Sequence, residues 1–226
     1  MEPIPYSVRR SSRARHARVE VRPEGVEVVL PERMALRHAA PLVEEKRRWI
    51  ERTLRRLQAV APAAVLQDGG RVSYLGRELE LRVKVEPGRT RPHVARRGDA
   101  LHVKVPRSGT DAIRAALEPW YRRRAKAEIG QRLDAVTARV GTTYGRLSIR
   151  AQRTRWASCS SSGAMSFNWR LLLAPEEVLD YVVEHEVAHL EVLDHSRRFW
   201  ALLGTRCPQY REHERWLRVS GPALRL

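Results

Sequence analysis

Cysteine is almost absent: of 226 residues, only Cys159 and Cys207 carry thiols. Two thiols build no disulfide framework, so a stapled secreted scaffold is excluded and a reducing, cytoplasmic setting is expected. No stretch approaches the ~20 consecutive apolar residues of a membrane-spanning helix, so no membrane partner is expected. The arginines of residues 1–16 are not followed by an apolar run, so no secretory leader is expected either. Repeats and low-complexity tracts are lacking. So are a glycine-rich phosphate loop and a cluster of carboxylates suited to Mg²⁺. Acid is in short supply: 43 Lys and Arg face 26 Asp and Glu, a net charge of +17. Residues 1–110 carry 24 basic and 13 acidic side chains, and residues 111–226 carry 19 and 13. Such an excess attracts anions, and non-specific binding of nucleic acid or nucleotides through a basic surface is an expected property. A chain this long buries a core without staples, as one large domain or two small ones.

What is present divides by periodicity. Residues 17–30 alternate around a Pro-Glu-Gly turn, a hairpin pattern. A helix is predicted from Ala40 to Leu57, with Leu42, Val43, Trp49, Ile50, Leu54 and Leu57 as its apolar stripe; Pro62 and Asp68-Gly-Gly70 close that unit. Alternation returns over Val72–Val85 and Leu101–Val105, separated by a Pro-, Gly- and Arg-rich loop. From Asp111 the spacing becomes helical, with Pro119 predicting a kink near Glu118. Short strands are expected at Leu147–Ala151 and Met165–Leu171, with an irregular segment between. A helix opens at Pro175, another runs from Arg197 to Leu203, and Tyr210–Leu217 closes the chain. The class is α+β: a basic, β-rich region of 1–110 with one helix precedes a more helical region of 111–226.

The informative stretch is His185-Glu186-Val-Ala-His189, an H-E-x-x-H pattern inside an apolar helix. Residues i and i+4 share one helix face, so both imidazoles can reach one metal ion, and Zn²⁺ is the expected one. Glu186, one position on, is placed to act as general base toward a metal-activated water. His195 is the expected third ligand. On a continuous helix it would point about 120° away from the metal face, so the helix must end near Leu193 or Asp194. Val192 stands where related metalloprotease motifs place glycine, so the turn must be built differently. Ser196 is a suitable cap for the next helix. Glu212 and Glu214, on a later helix, are the competing third ligands.

Several segments resemble the YgjP-like metallopeptidases, relatives of the SprT-like and WLM zinc peptidases. They are Thr154-Arg-Trp-Ala-Ser-Cys159, Gly163-Ala-Met-Ser-Phe-Asn-Trp-Arg-Leu171, Tyr181-Val-Val-Glu-His-Glu-Val-Ala-His-Leu190 and His195-Ser-Arg-Arg-Phe-Trp200. Looser matches lie in the basic N-terminal hairpin, at Trp49-Ile50 and at Tyr74-Leu-Gly-Arg77. Ala157 replaces the usual glycine. The resemblance implies a zincin-like catalytic domain, with His185, His189 and His195 on zinc and Glu186 as catalyst. It leaves the substrate open.

Three further residues are candidates for substrate binding. Asn168 and Trp169 precede the motif helix and can line a cleft where a sheet edge pairs with extended substrate, or simply belong to a core strand. Arg155 can polarise a carbonyl or hold a phosphate, or brace its loop against an acid. Cys159 reads as a small buried thiol, and Phe199 and Trp200 as packing around the ligand turn. The function expected is zinc-dependent hydrolysis of a protein or peptide. The alternatives are metal-dependent hydrolysis of a nucleotide pyrophosphate and proteolysis of DNA-bound protein.

Overall fold

In the computed structural model the described residues are 3–22, 25–60, 64–152 and 154–226. The tip of the first hairpin at Pro23 and Glu24, Pro62, Arg153 and the side chain of Leu57 lie outside the described set. The described residues form ten strands in three sheets and six α-helices, a mixed α and β architecture. Packing divides the chain into two units, residues 1–62 with 218–223, and residues 63–217 with 224–226.

In the first unit, β1 (Tyr6–Ser11), β2 (Arg18–Arg22) and β3 (Gly25–Pro31) form a sheet in the order β1-β3-β2. The expected hairpin is the antiparallel pair β2–β3. Strand β1 adds to it in parallel, a strand the sequence hides because its residues are nearly all exposed. Alternate residues Val26, Val28 and Leu30 enter a core with Ala39, Val43 and Ile50. These come from α1 (Ala39–Glu45) and α2 (Arg47–Val60), one predicted helix interrupted at Lys46, where φ is −95° and ψ 6°.

The larger unit opens with β4 (Arg71–Tyr74), β5 (Arg77–Val85), β6 (His93–Arg97) and β7 (Ala100–Val105), in the order β4-β5-β7-β6. β6 occupies the segment expected to be a loop; its one fully apolar inward residue is Val94, too little for a period to register. Leu79, Leu81, Leu101 and Val103 share a core with Ile113, Leu117 and Tyr121 of α3 (Thr110–Val140). By packing, therefore, the chain parts near residue 62. The strands of 71–105 need the helix to cover their apolar face. Helix α3 runs unbroken for 31 residues through Pro119. Pro119 and Ala115, whose carbonyl it cannot satisfy, are both exposed, so the carbonyl left without a helical partner faces solvent.

A third sheet, β8 (Leu147–Arg150), β9 (Ala157–Cys159) and β10 (Met165–Asn168), has β10 in the middle. After a 3-10 turn at Trp169–Leu173 comes α4 (Glu176–Ala188), then α5 (Arg197–Arg206) and α6 (Tyr210–Ser220). Pro175 is the N-cap of α4, one residue before the first helical position. The β4–β5 turn fixes this end. Leu75 and Gly76 both have positive φ, 50° and 76°, as a two-residue hairpin turn demands. The Leu75 N–H donates to the Leu172 carbonyl at 2.8 Å, and a Cβ at residue 76 would meet Pro175 Cα at 3.5 Å.

Candidate metal centre

Helix α4 is held from two sides. Val178, Leu179, Val182, Val183 and Val187 are buried in the core. On the outside, Arg132 of α3 bonds Glu128, Asp180 and Glu176, and Arg139 pairs with Glu184. The carboxylates of Glu176 and Asp180 are 56% and 53% exposed, so each such pair contributes about 1 kcal/mol or less. A buried aliphatic side chain contributes about 1.5–3 kcal/mol. Apolar burial therefore fixes the helix, and the ion pairs set its rotation against α3.

The four-residue spacing puts His185 and His189 on the same side of that helix. After Ala188 the helix stops in a short turn: Glu191 and Val192 both donate backbone N–H groups to the Ala188 carbonyl, at 3.1 and 3.0 Å. Among the described residues Leu75 alone combines a side chain with positive φ, so Val192 makes the bend without the conformation that favours glycine. Its side chain is buried and its carbonyl lies 3.0 Å from His189 Nδ1. The Asp194 carboxylate accepts the Ser196 N–H at 3.1 Å. Ser196 is the N-cap of α5 by position, without a side-chain hydrogen bond to the helix.

The chain thus returns His195 to the other two. One ligand-type atom from each of His185, His189 and His195 lies within 4.8 Å of the others, the one such cluster of three or more among the described residues. His185 Nε2 and His195 Nε2 are 3.1 Å apart. Two nitrogens bound to one tetrahedral zinc at ~2.1 Å would stand ~3.4 Å apart, so the spacing suits a shared cation. The donor set fits as well. Val192 accepts the Nδ1 proton of His189 and leaves Nε2 its lone pair, the arrangement that orients metal-bound imidazoles. Burial, with the two neighbouring imidazoles, holds His185 down to about 3, and burial lowers His189. Both are neutral at pH 7, the form that ligates. His185 Nδ1 is buried without a partner. Glu212 and Glu214 are not part of the cluster.

Glu186 is 5% exposed. Burial pushes its carboxyl up to about 8, against a hydrogen bond from the Cys159 backbone that lowers it. Its Oε2 is buried with no partner. A buried carboxyl oxygen with no partner, on the residue next to His185, is a costly arrangement in the absence of a cation. A divalent ion there would draw the carboxyl pKa down again.

Phe199 packs against all three imidazoles. It stacks on His189 at 4.5 Å and lies 4.9 and 4.8 Å from His185 and His195. Trp200 tilts over His195 at 5.6 Å and stacks on Tyr210 at 5.4 Å. Sequence alone marks these rings as packing; the carbonyl of Val192 and the Cys159 backbone carry no signal in it, because neither depends on side-chain identity.

The other three candidates do not join the cluster. Asn168 and Trp169 are 3% and 1% exposed. The Asn168 amide donates to the Gln152 carbonyl at 2.7 Å, and its oxygen accepts the Arg170 N–H at 3.1 Å. Trp169 packs against Tyr121 at 5.7 Å. β10 is a central strand, so its end offers no free edge, and both residues serve the core. Arg155 is exposed just before β9, with no acidic partner among the described residues.

The sequence model of one family, YgjP-like, metallopeptidase domain, matches residues 15–220. The chain belongs to the YgjP-like family. The match takes in both packing units and the whole His185–His195 segment, and it makes the chain a member of a metal-dependent peptidase family. Two solved structures are similar to part of it. The crystal structure of the metallopeptidase zymogen of Pyrococcus abyssi abylysin is 24% identical, covering 40% of this chain and 92% of that one, with a TM-score of 0.37. The metallopeptidase zymogen of Methanocaldococcus jannaschii jannalysin is 18% identical, covering 40% and 93%, with a TM-score of 0.36. No curated protein matches the chain. No helix among the described residues is long and apolar enough to cross a membrane.

Proposed function

We propose that this YgjP-like chain is a zinc metallopeptidase of zincin-like design, with His185, His189 and His195 as the ligands and Glu186 as the general base. The observation that carries the reading is the convergence of three imidazoles, with a buried carboxyl of orphaned oxygen on the residue that follows His185. Three imidazole nitrogen donors suit Zn²⁺, and a three-residue set leaves a fourth position open, as catalytic sites do. When bound there, zinc would supply the Lewis acidity that polarises a scissile carbonyl and acidifies the attacking water. Glu186 would take the proton of that water and pass it to the leaving amine. The apolar surround of Glu186 favours uptake of the water proton, since burial stabilises the protonated carboxyl.

An extended peptide needs a strand edge, and β9 supplies one. It pairs with β10 on one side only, and its Cys159 backbone already contacts Glu186. A substrate strand added to β9 would run beside the carboxylate, with Arg155 at the entrance. Denatured casein and a mixed peptide library, incubated with the full chain, test this. Cleavage should disappear with a chelator and return on adding zinc. Cleavage indifferent to chelation, or hydrolysis of nucleoside triphosphates with peptides untouched, would reject the reading.

A further inference from the structure

The outward face of the β4-β5-β7-β6 sheet plays no part in the metal centre. Its inward residues alternate into the core, so its outward rows follow from register. Lys84 of β5 stands opposite Lys104 of β7, which stands opposite His93 of β6. In the next row Arg82 faces His102, and His102 faces Ala95. Beyond them Glu80 of β5 faces Ala100, and Ala100 faces Arg97, so this row holds one acid and one base. Neighbouring strands are about 4.8 Å apart and successive outward residues about 6.6 Å, so the cations form a dense grid. The two alanines keep its floor low. A shallow cavity of about 460 Å³ opens there, lined by Arg89, His93, Ala95, Arg97, His102 and Lys104.

The charge on this face is not cancelled locally. Glu86 meets Arg89 at 2.8 Å, Lys104 at 3.1 Å and Lys84 at 3.5 Å, one carboxylate shared among three cations. Arg82 has Glu80 at 3.5 Å, and Arg97 has no acidic partner among the described residues. The basic runs near the N-terminus differ. Arg9 meets Glu27 and Glu20, Arg18 meets Glu20, and Arg47 meets Glu44 and Glu51. Part of the charge in those runs is thus cancelled at Arg9, Arg18 and Arg47, while dispersed cations on alternate strand positions produce an excess that sequence order conceals.

We propose that this sheet face binds the phosphate backbone of duplex nucleic acid without reading its sequence. The complementarity is of charge. The outward rows carry no Phe, Tyr or Trp on which unstacked bases could lie, and stacking is the usual anchor for single strands. A duplex keeps its bases stacked and presents phosphates, which is what a grid of cations recognises.

Anisotropy of a labelled duplex of random sequence, titrated with the full chain at 50 and 200 mM salt, tests the proposal. Affinity should fall steeply with salt and not change when the sequence does. The triple variant Arg82→Gln, Lys84→Gln, Arg97→Gln should bind about tenfold or more weakly at 50 mM. Its salt slope should be smaller by about 2.7, at about 0.9 per lost contact. The charge-keeping variant Arg82→Lys, Lys84→Arg, Arg97→Lys should bind like the parent, which separates charge from fold. Arg9→Gln, Arg18→Gln, Arg47→Gln, each already beside a carboxylate, should change affinity less than about twofold. The proposal is overturned if the parent fails to bind at 50 mM, if the first variant binds like the parent, if the N-terminal variant loses as much, or if single strands bind more tightly than duplex. Binding is read without turnover, so its failure leaves the peptidase reading standing, and the reverse.

Discussion

Glu186→Gln is expected to keep the fold and the metal and to lower the rate of peptide hydrolysis by about 10²–10⁴. Glutamine has nearly the shape of glutamate, so the pocket between α4 and β9 keeps its packing, and its amide can still meet the Cys159 backbone. It cannot take a proton from the attacking water. The buried setting that pushes the glutamate up to about 8 also makes the neutral amide no harder to bury, so the variant should be at least as stable as the parent. Single-turnover kinetics on a peptide cleaved by the parent, with zinc content measured on the same samples, check this. A variant that cleaves at the parental rate removes Glu186 from the chemistry. A variant that loses its zinc as well would move it into the ligand set.

The double change His185→Ala and His189→Ala should have the other large effect, the loss of stoichiometric zinc and of all chelator-sensitive hydrolysis. One imidazole on the loop before α5 is left, and a lone exposed histidine does not hold the ion against dialysis. Helix content should survive. The face of α4 that secures it is made by Val178, Leu179, Val182, Val183 and Val187, which the substitutions do not touch. Elemental analysis and far-ultraviolet circular dichroism of the purified variant provide both readouts. Zinc retained at about one per chain would place the site elsewhere.

Much of this centre was legible in the order of residues, and the reasons are local. His185, Glu186 and His189 lie within two helical turns, where spacing alone determines direction. That the helix must end before His195 followed from the same geometry, but it ends at Ala188 and not near Leu193 or Asp194, because the turn at 188–192 is built from backbone hydrogen bonds. Other features depended on partners distant in sequence. β9 is three residues long and owes its existence to antiparallel pairing with β10, so no period in Ala157–Cys159 could announce it. That strand forms the edge beside Glu186, whereas Asn168 and Trp169 of the better-patterned segment are taken up by the core. β1 is a strand by virtue of β3, and β6 carries too few apolar residues to register. The division of the chain depended on which helix covers the β4–β7 sheet, a tertiary matter. Pro119 was given too much weight because its exposure, which makes a helical proline tolerable, is not written in its neighbours.

The central claim is that His185, His189 and His195 jointly hold one zinc ion next to Glu186. X-ray absorption at the zinc edge of the purified full chain tests it most directly. The account predicts about one zinc per chain, three imidazole nitrogens at ~2.0–2.1 Å and one further oxygen, with one imidazole signature lost in His195→Ala. A sulfur shell at ~2.3 Å from Cys159, or a spectrum of His195→Ala indistinguishable from that of the parent, would contradict it.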